Sequence, residues 1–203
     1  MDSELRKRIN GIEGIVVSLV TNWEISKFLN FDLHPKAVNI QNNEGLFWIW
    51  HQLLGLVVID LYKLYKDTEK HSIAKLLNIA NHKNHRIKQS LIKRADALKT
   101  SYSARQYEGI RSKFLAHQDL NVSRMGVDLT ELDKLVLETR QWLVDLKKNQ
   151  KLGCMHNNEE IHSSLVELFK SVDDWDDVQG FLLGKFLLRK KTVRISDIQK
   201  LIR

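Results

Sequence analysis

One short segment combines the residue types that acid–base chemistry on a phosphate requires. Residues 111–119 read Arg-Ser-Lys-Phe-Leu-Ala-His-Gln-Asp, at the end of a predicted helix that runs into a loop. Arg111 is always charged and its planar fork matches phosphate oxygens, whereas His117 titrates near neutral pH and can act as base or acid. Six positions turn an ideal helix by 600°, so the two residues point about 120° apart. This spacing suits the rim of an interface better than a mutual hydrogen bond, and alone it is a common pattern.

The composition indicates an all-α protein with enough apolar residues to form a hydrophobic core. The chain has 203 residues, 43% of them apolar, with 9 Gly and 1 Pro. Such a shortage of turn formers argues against a β-sandwich or barrel, and the apolar fraction argues against disorder. The single cysteine, Cys154, excludes an intrachain disulfide and a cysteine-based zinc site, and fits a cytoplasmic protein.

Several other classes of site and segment are disfavoured. Residues 15–20 are too short an apolar run for a signal peptide, and residues 45–59 are too short for a membrane span, so we expect a buried core helix and no membrane partner. His82 and His85 lack a third ligand nearby, and Glu159 and His162 form a single Glu-x-x-His. We therefore expect no metal and no cofactor.

Helical periodicity predicts a bundle along the first 150 residues. We expect helices over about 3–21 and 23–31, a long apolar helix over 44–66, and a helix capped by Ser72 that ends near residue 80. A basic amphipathic helix is expected over 83–99. The next helix would be capped by Ser101 or Ser103.

The rest of the chain is expected to begin with a loop over 118–127. Asp128, with Glu131 three positions later, predicts the start of a helix that ends near Lys148. Its apolar positions are Leu132, Leu135, Val136, Trp142, Leu143 and Leu146. Residues 151–203 form a predicted helical C-terminal extension of short helices.

Positive charge is concentrated in two segments. Lys and Arg number 32 against 25 Asp and Glu, a net charge of +7; residues 82–99 carry +5 and residues 180–203 carry +6. Concentrated basic segments predict a polyanion partner, although solvated basic faces are common on helical proteins. The candidate RNA-binding residues are Arg86, Lys88, Lys93 and Arg94.

The motif resembles that of a known superfamily. An Arg, then Leu-Ala-His-x-Asp, on the penultimate helix of an all-α core resembles the HEPN superfamily, and within it the abortive-infection proteins of AbiU type. The matching residues are Arg111, Leu115, Ala116, His117 and Asp119, and residues 60–67 and 72–77 are similar to that family's middle helices. The resemblance covers about residues 1–150 and implies a HEPN-like helical bundle there.

The resemblance implies a metal-independent endoribonuclease of the toxin or phage-defence kind that acts as a homodimer. Arg111 and His117 would be catalytic, with Ser112, Lys113 and Asp119 as auxiliary residues. Cleavage by the RNA's own 2′-hydroxyl needs a base, an acid and a cation, and one His cannot hold both protonation states at once. A two-fold dimer removes this difficulty because it brings two Arg and two His to one cleft. RNA, a second copy of the chain and, for a toxin, an antitoxin protein are the implied partners.

Two other functions remain open. HEPN nucleases often carry Asn or Asp directly after the Arg, where this chain has Ser112. This departure supports a non-catalytic HEPN-type dimer that binds RNA or a protein partner. A third hypothesis is an interaction protein that acts through residues 151–203.

Overall fold

The described part of the chain is entirely helical. The computed structural model describes residues 3–29, 44–83, 85–117 and 127–153, without the side chains of residues 44, 46 and 113–117. Within these ranges it contains six α-helices and no strand: α1 Ser3–Leu29, α2 Glu44–Tyr65, α3 Ile73–His82, α4 Gln89–Ala104, α5 Tyr107–His117 and α6 Leu129–Asn149. The predicted all-α class is therefore confirmed for the described residues.

The first helix is continuous, so the predicted break after residue 21 is wrong. The buried residues of α1 keep a spacing of three or four across that point, through Leu19, Trp23 and Ser26. Asn22, one of the polar residues at the expected break, donates its Nδ2 to Ser18 Oγ at 3.2 Å along the same helix. Polar residues such as Ser18 and Asn22, which lie outside the buried stripe of α1, do not interrupt the helix as long as that stripe continues.

Two predicted helix starts are confirmed. Ser72 is the N-cap of α3, and its Oγ accepts a hydrogen bond from Lys75 N at 3.3 Å. Asp128 is the N-cap of α6, and its Oδ1 accepts from Thr130 N at 3.0 Å and Glu131 N at 3.1 Å. Each side chain satisfies amides that have no partner within the helix.

The fourth helix begins and ends later than predicted. His85 N donates to Ala80 O at 2.8 Å in the turn that closes α3, and α4 starts only at residue 89. Ser101 and Ser103 lie inside α4, so neither caps the next helix. The junction with α5 falls instead at Gln106, whose positive φ of 54° interrupts the helical backbone.

A single apolar core joins these helices, and α1 lies against α2, α3 and α6. Lys147 Nζ contacts Glu13 Oε1 at 2.5 Å, and Trp23 Nε1 donates to Asp133 Oδ1 at 2.6 Å. These two pairs lie at opposite ends of an antiparallel contact between α1 and α6. The predicted apolar stripe of α6 is confirmed, because all six of its residues are buried.

Among the described residues, α2 is the one helix long and apolar enough to cross a membrane by length and composition. In the bundle, 44% of its stretch Phe47–Tyr65 is buried. The core side chains of α2 include Leu54, Val57, Val58, Leu61 and Leu64, as expected of a core helix. The predicted helix over 23–31 beyond residue 29, the loop over 118–126 and the extension beyond residue 153 lie outside the described residues.

Gly11 provides a test of the packing of α1. A Cβ built on Gly11 would lie 2.6 Å from Cε1 of His71, whereas a Cβ on Gly14 of the same helix would meet nothing within 4 Å. We expect Gly14→Ala to raise the free energy of unfolding by about 0.5–1 kcal/mol, because alanine favours the helix. Gly11→Ala should be about 1 kcal/mol less favourable than Gly14→Ala, since the His71 imidazole must be displaced. Urea unfolding measures both values.

The double variant with His71→Ala is the control for this prediction. Removing the imidazole should make Gly11→Ala as favourable as Gly14→Ala. If Gly11→Ala is as stabilising as Gly14→Ala while His71 is present, the close approach of α1 to His71 is not as described.

Candidate active site

Helix α5 positions Arg111 against α2. Tyr107 and Ile110 are buried and anchor the start of α5, which contacts α2. Arg111 is partly buried, and its guanidinium carbon lies 3.9 Å from the centroid of the Tyr62 ring. A guanidinium over an aromatic face is attracted by the ring's negative face, and the stack fixes the plane of the cation.

No carboxylate of the described residues neutralises Arg111. Glu108, one turn earlier on α5, pairs instead with Lys66 on α2, with 2.6 Å between Oε1 and Nζ. This hydrogen bond raises the pKa of Lys66. The Nε atom of Arg111 is buried and has no hydrogen-bond partner within the described part of the chain. Within the described part of the chain, the guanidinium of Arg111 is thus stacked on Tyr62 and its charge is not compensated by a carboxylate.

All four tyrosines of the sequence lie around this position. Tyr65 stacks on Tyr102 with 5.3 Å between ring centroids, and Tyr102 lies 5.8 Å from Tyr107. The hydroxyl groups of Tyr65 and Thr139 are hydrogen-bonded at 2.5 Å. The hydroxyls of Tyr102 and Tyr107 are buried without a partner among the described residues. The three stacked or tilted rings thus lie beside the Tyr62 ring that contacts Arg111.

Burial keeps the phenols of this cluster neutral. It raises the pKa of Tyr107 to about 12, and it also raises the pKa of Tyr65 and of Tyr102. The charged phenolate is disfavoured in an apolar surrounding. None of the three phenols is therefore suited to act as a general base near neutral pH.

The other motif residues are placed only in part. Residues 113 and 117 lie on α5, so Lys113 and His117 share the helix of Arg111, but their side chains are outside the described part. An ideal helix places positions 111 and 117 about 9 Å apart along its axis. Ser112 Oγ is exposed and donates to the carbonyl of Glu108 at 3.1 Å. Asp119 lies outside the described residues.

The four basic residues predicted to bind RNA differ in their surroundings. Arg86, Lys88 and Lys93 are exposed and have no carboxylate partner within the described ranges. Arg94 is partly buried and pairs with Asp145 on α6, with 2.7 Å between Nη1 and Oδ2. Within the described residues, three of the four charges therefore have no compensating carboxylate, and the fourth is paired. No three His, Cys, Asp or Glu residues of the described part are grouped to hold a metal ion.

The chain was compared with protein-family models, curated proteins and solved structures, and none of them matches it.

Sequence reasoning missed the aromatic partner of the site. Tyr62 lies 49 positions before Arg111, and no local period in the sequence links the two. The sequence offered one signal, which is the spacing of Tyr62 and Tyr65 three positions apart on a predicted core helix. In the structure Tyr65 is buried and Tyr62 stays partly exposed.

Tyr107 provides a test of the buried phenol cluster. Its hydroxyl has no partner among the described residues, so Tyr107→Phe should leave the free energy of unfolding at pH 8 unchanged or slightly higher. Its pKa is higher in the folded protein, at about 12, than the ordinary value of 10. Between these values only the unfolded chain loses the proton, so wild-type stability falls as pH rises from 10 towards 12. Urea unfolding at pH 8 and pH 11 should show a smaller fall for the Phe variant.

Tyr65→Phe is the matched control. It removes the hydrogen bond to Thr139 and should cost about 1 kcal/mol at pH 8. Equal losses at pH 8 for Tyr65→Phe and Tyr107→Phe would show that the Tyr107 hydroxyl is hydrogen-bonded.

Proposed function

We propose that this protein is a metal-independent endoribonuclease of the toxin or phage-defence kind. Arg111 binds the scissile phosphate and His117 transfers a proton, and a homodimer brings two copies of each to one cleft. This function is the one implied by the resemblance of residues 111–119 to the HEPN motif.

The observation that carries the proposal is the cation at Arg111, which is stacked on Tyr62 and which no carboxylate of the described residues compensates. Its guanidinium lies 3.9 Å from the Tyr62 centroid, while the nearby acid Glu108 is engaged by Lys66. Leaving a partly buried cation without a carboxylate is unfavourable for folding, so such an arrangement is typical of functional sites. A cation held in place before the substrate arrives stabilises developing negative charge without reorganisation.

The chemistry needs no cofactor. A neutral His117 removes the proton of the RNA 2′-hydroxyl, and the 2′-oxygen attacks the adjacent phosphorus. The bond to the 5′-oxygen breaks, and a protonated His117 of the second chain supplies that oxygen with its proton. Arg111 binds the non-bridging oxygens, which carry the extra charge in the phosphorane. The products are a 2′,3′-cyclic phosphate and a free 5′-hydroxyl.

One observation favours a second candidate function, a non-catalytic HEPN-type dimer that binds RNA or a protein. Ser112 occupies the position where the family's nucleases often carry Asn or Asp. Its hydroxyl is used within its own helix, by donation to the Glu108 carbonyl. A site that lacks this polar group could bind a phosphate through Arg111 without cleaving the chain.

Substitution of the two motif residues separates these candidates. Arg111→Gln removes the charge but leaves a stem to cover Tyr62, and His117→Ala removes the proton-transfer group. Each should lower the rate of RNA cleavage by roughly 10²–10⁴-fold. Cleavage by the wild type should continue in EDTA and should leave a 2′,3′-cyclic phosphate. Gel analysis of a labelled RNA and mass spectrometry of the products provide the measurement.

Arg105→Gln is the matched control, because Arg105 is already compensated by Glu131, with 2.9 Å between Nη2 and Oε2. It should cleave at the wild-type rate. Cleavage of an RNA whose scissile 2′-hydroxyl is replaced by hydrogen, or a requirement for added metal, would contradict the mechanism. Full activity from a species with the mass of one chain, by light scattering, would contradict the dimer cleft. Absence of all cleavage, with RNA still bound, would favour the non-catalytic candidate.

A further inference from the structure

A cleft lies between the first turn of α4 and the last turn of α6. It has a volume of about 370 Å³ and is lined by Lys88, Ser90, Leu91, Arg94, Asp145, Lys148 and Asn149. The two helices run antiparallel, since Trp142 Nε1 donates to Leu91 O at 2.9 Å and Gln150 Nε2 donates to Arg86 O at 3.3 Å. These bonds fix both walls of the cleft on the bundle.

The two walls carry opposed, uncompensated positive charges. Lys88 on α4 and Lys148 on α6 are exposed and have no carboxylate partner among the described residues. Asp145 is the one acid among the described residues of the lining, and it is engaged by Arg94 at 2.7 Å and by Gln141 Nε2 at 2.9 Å. These residues therefore carry a net charge of +2, from Lys88, Arg94 and Lys148 against Asp145.

Neutral donors complete the lining. Ser90 provides a hydroxyl, and Asn149 provides an amide nitrogen, because its Oδ1 already accepts from Gln150 at 3.0 Å. The N-cap of α4, Lys88, gives no side-chain acceptor to the helix amides. Ammonium groups and neutral donors that approach from two sides are the contacts that a compact tetrahedral anion accepts.

We infer that this cleft binds the phosphodiester backbone of single-stranded RNA, at a place separate from Arg111. From Lys88 to Tyr102, α4 extends about 21 Å, so the cleft and the aromatic support lie at opposite ends of that helix. Arg86 and Lys93 extend the positive surface beyond the cleft. A bound RNA would thus be held at a distance from the position where it is cut. The choice of RNA rests on the proposed function, whereas the cation arrangement requires only repeated phosphates.

Binding of an RNA that cannot be cleaved tests the inference. The probe is a fluorescein-labelled 12-nucleotide oligouridine with 2′-O-methyl groups, and its anisotropy gives the Kd at several salt concentrations. Lys88→Ala and Lys148→Ala should each weaken binding about five- to tenfold at 50 mM salt. Each should also lower the slope of log K against log salt by about 0.7, as expected for one lost phosphate contact on a single strand.

Lys134→Ala is the matched control for these variants. Lys134 lies on α6 and is exposed like Lys148, but it does not line the cleft. It should change the Kd less than twofold. If Lys134→Ala weakens binding as much as Lys148→Ala, the protein responds to total charge and the cleft is not a site.

Asp145→Asn adds a change in the opposite direction. It removes the one negative charge of the lining and releases Arg94, so the affinity should rise about threefold or more. Asp96→Asn makes the same change of charge at an exposed position of α4 outside the cleft and should have less than half that effect. Equal effects of the two variants, or a loss of affinity with Asp145→Asn, would overturn the inference.

The outcome is distinguishable from that for the proposed nuclease. Cleft-dependent binding of the probe without cleavage of ordinary RNA would support the cleft and contradict the nuclease. If ordinary RNA is cleaved normally and neither Lys88→Ala nor Lys148→Ala changes probe binding, the nuclease is supported and the cleft is contradicted. Displacement of the probe by a 12-residue polyglutamate peptide at equal charge concentration would identify an acidic protein segment as the occupant and overturn the inference.

Discussion

The bundle depends on the contact of α1 with α6, which two polar pairs hold in one register. Lys147 is buried and lies 2.5 Å from Glu13, and Trp23 donates to Asp133 at the other end of the contact. Removing Glu13 would leave the ammonium of Lys147, whose side chain is 9% exposed, without its counter-charge and would destabilise this contact. A shifted register between these helices would break both pairs, so these pairs specify how α6 lies on α1. The apolar stripe of α1 supplies the rest of this contact.

This register determines the position of both candidate binding surfaces. With α6 fixed, Thr139 bonds to Tyr65 and Trp142 bonds to the backbone at Leu91. The first bond holds the end of α2, and therefore the aromatic support for Arg111. The second holds the start of α4, and therefore one wall of the basic cleft. The two surfaces at opposite ends of α4 are consequences of the same core.

The sequence predicted those features that local chemistry determines. The caps at Ser72 and Asp128 and the apolar stripe of α6 depend on residues within a few positions of each other, and the structure confirms them. The start of α4 was misplaced because residues after His82 form the turn that closes α3, although their basic pattern also fits a helix. A break in α1 was predicted where none exists, because polar residues near Asn22 resemble the end of a helix. Two features involve residues that are far apart in the sequence. Tyr62 contacts Arg111, and Lys88 and Lys148 lie on facing walls of the cleft. Periodicity in one sequence carries no signal for such pairs.

The account rests on Arg111 as a cation that is held on Tyr62 and left available to a phosphate. NMR of the arginine Nε–H groups tests this directly, with assignment by Arg111→Gln. The ring current of Tyr62 should shift the Arg111 signal to low frequency in the unbound protein. Addition of the 2′-O-methyl RNA should move that signal, while the signal of Arg105, paired with Glu131, stays in place. An Arg111 signal that shows no ring-current shift, or that does not move at saturating RNA, would contradict the account.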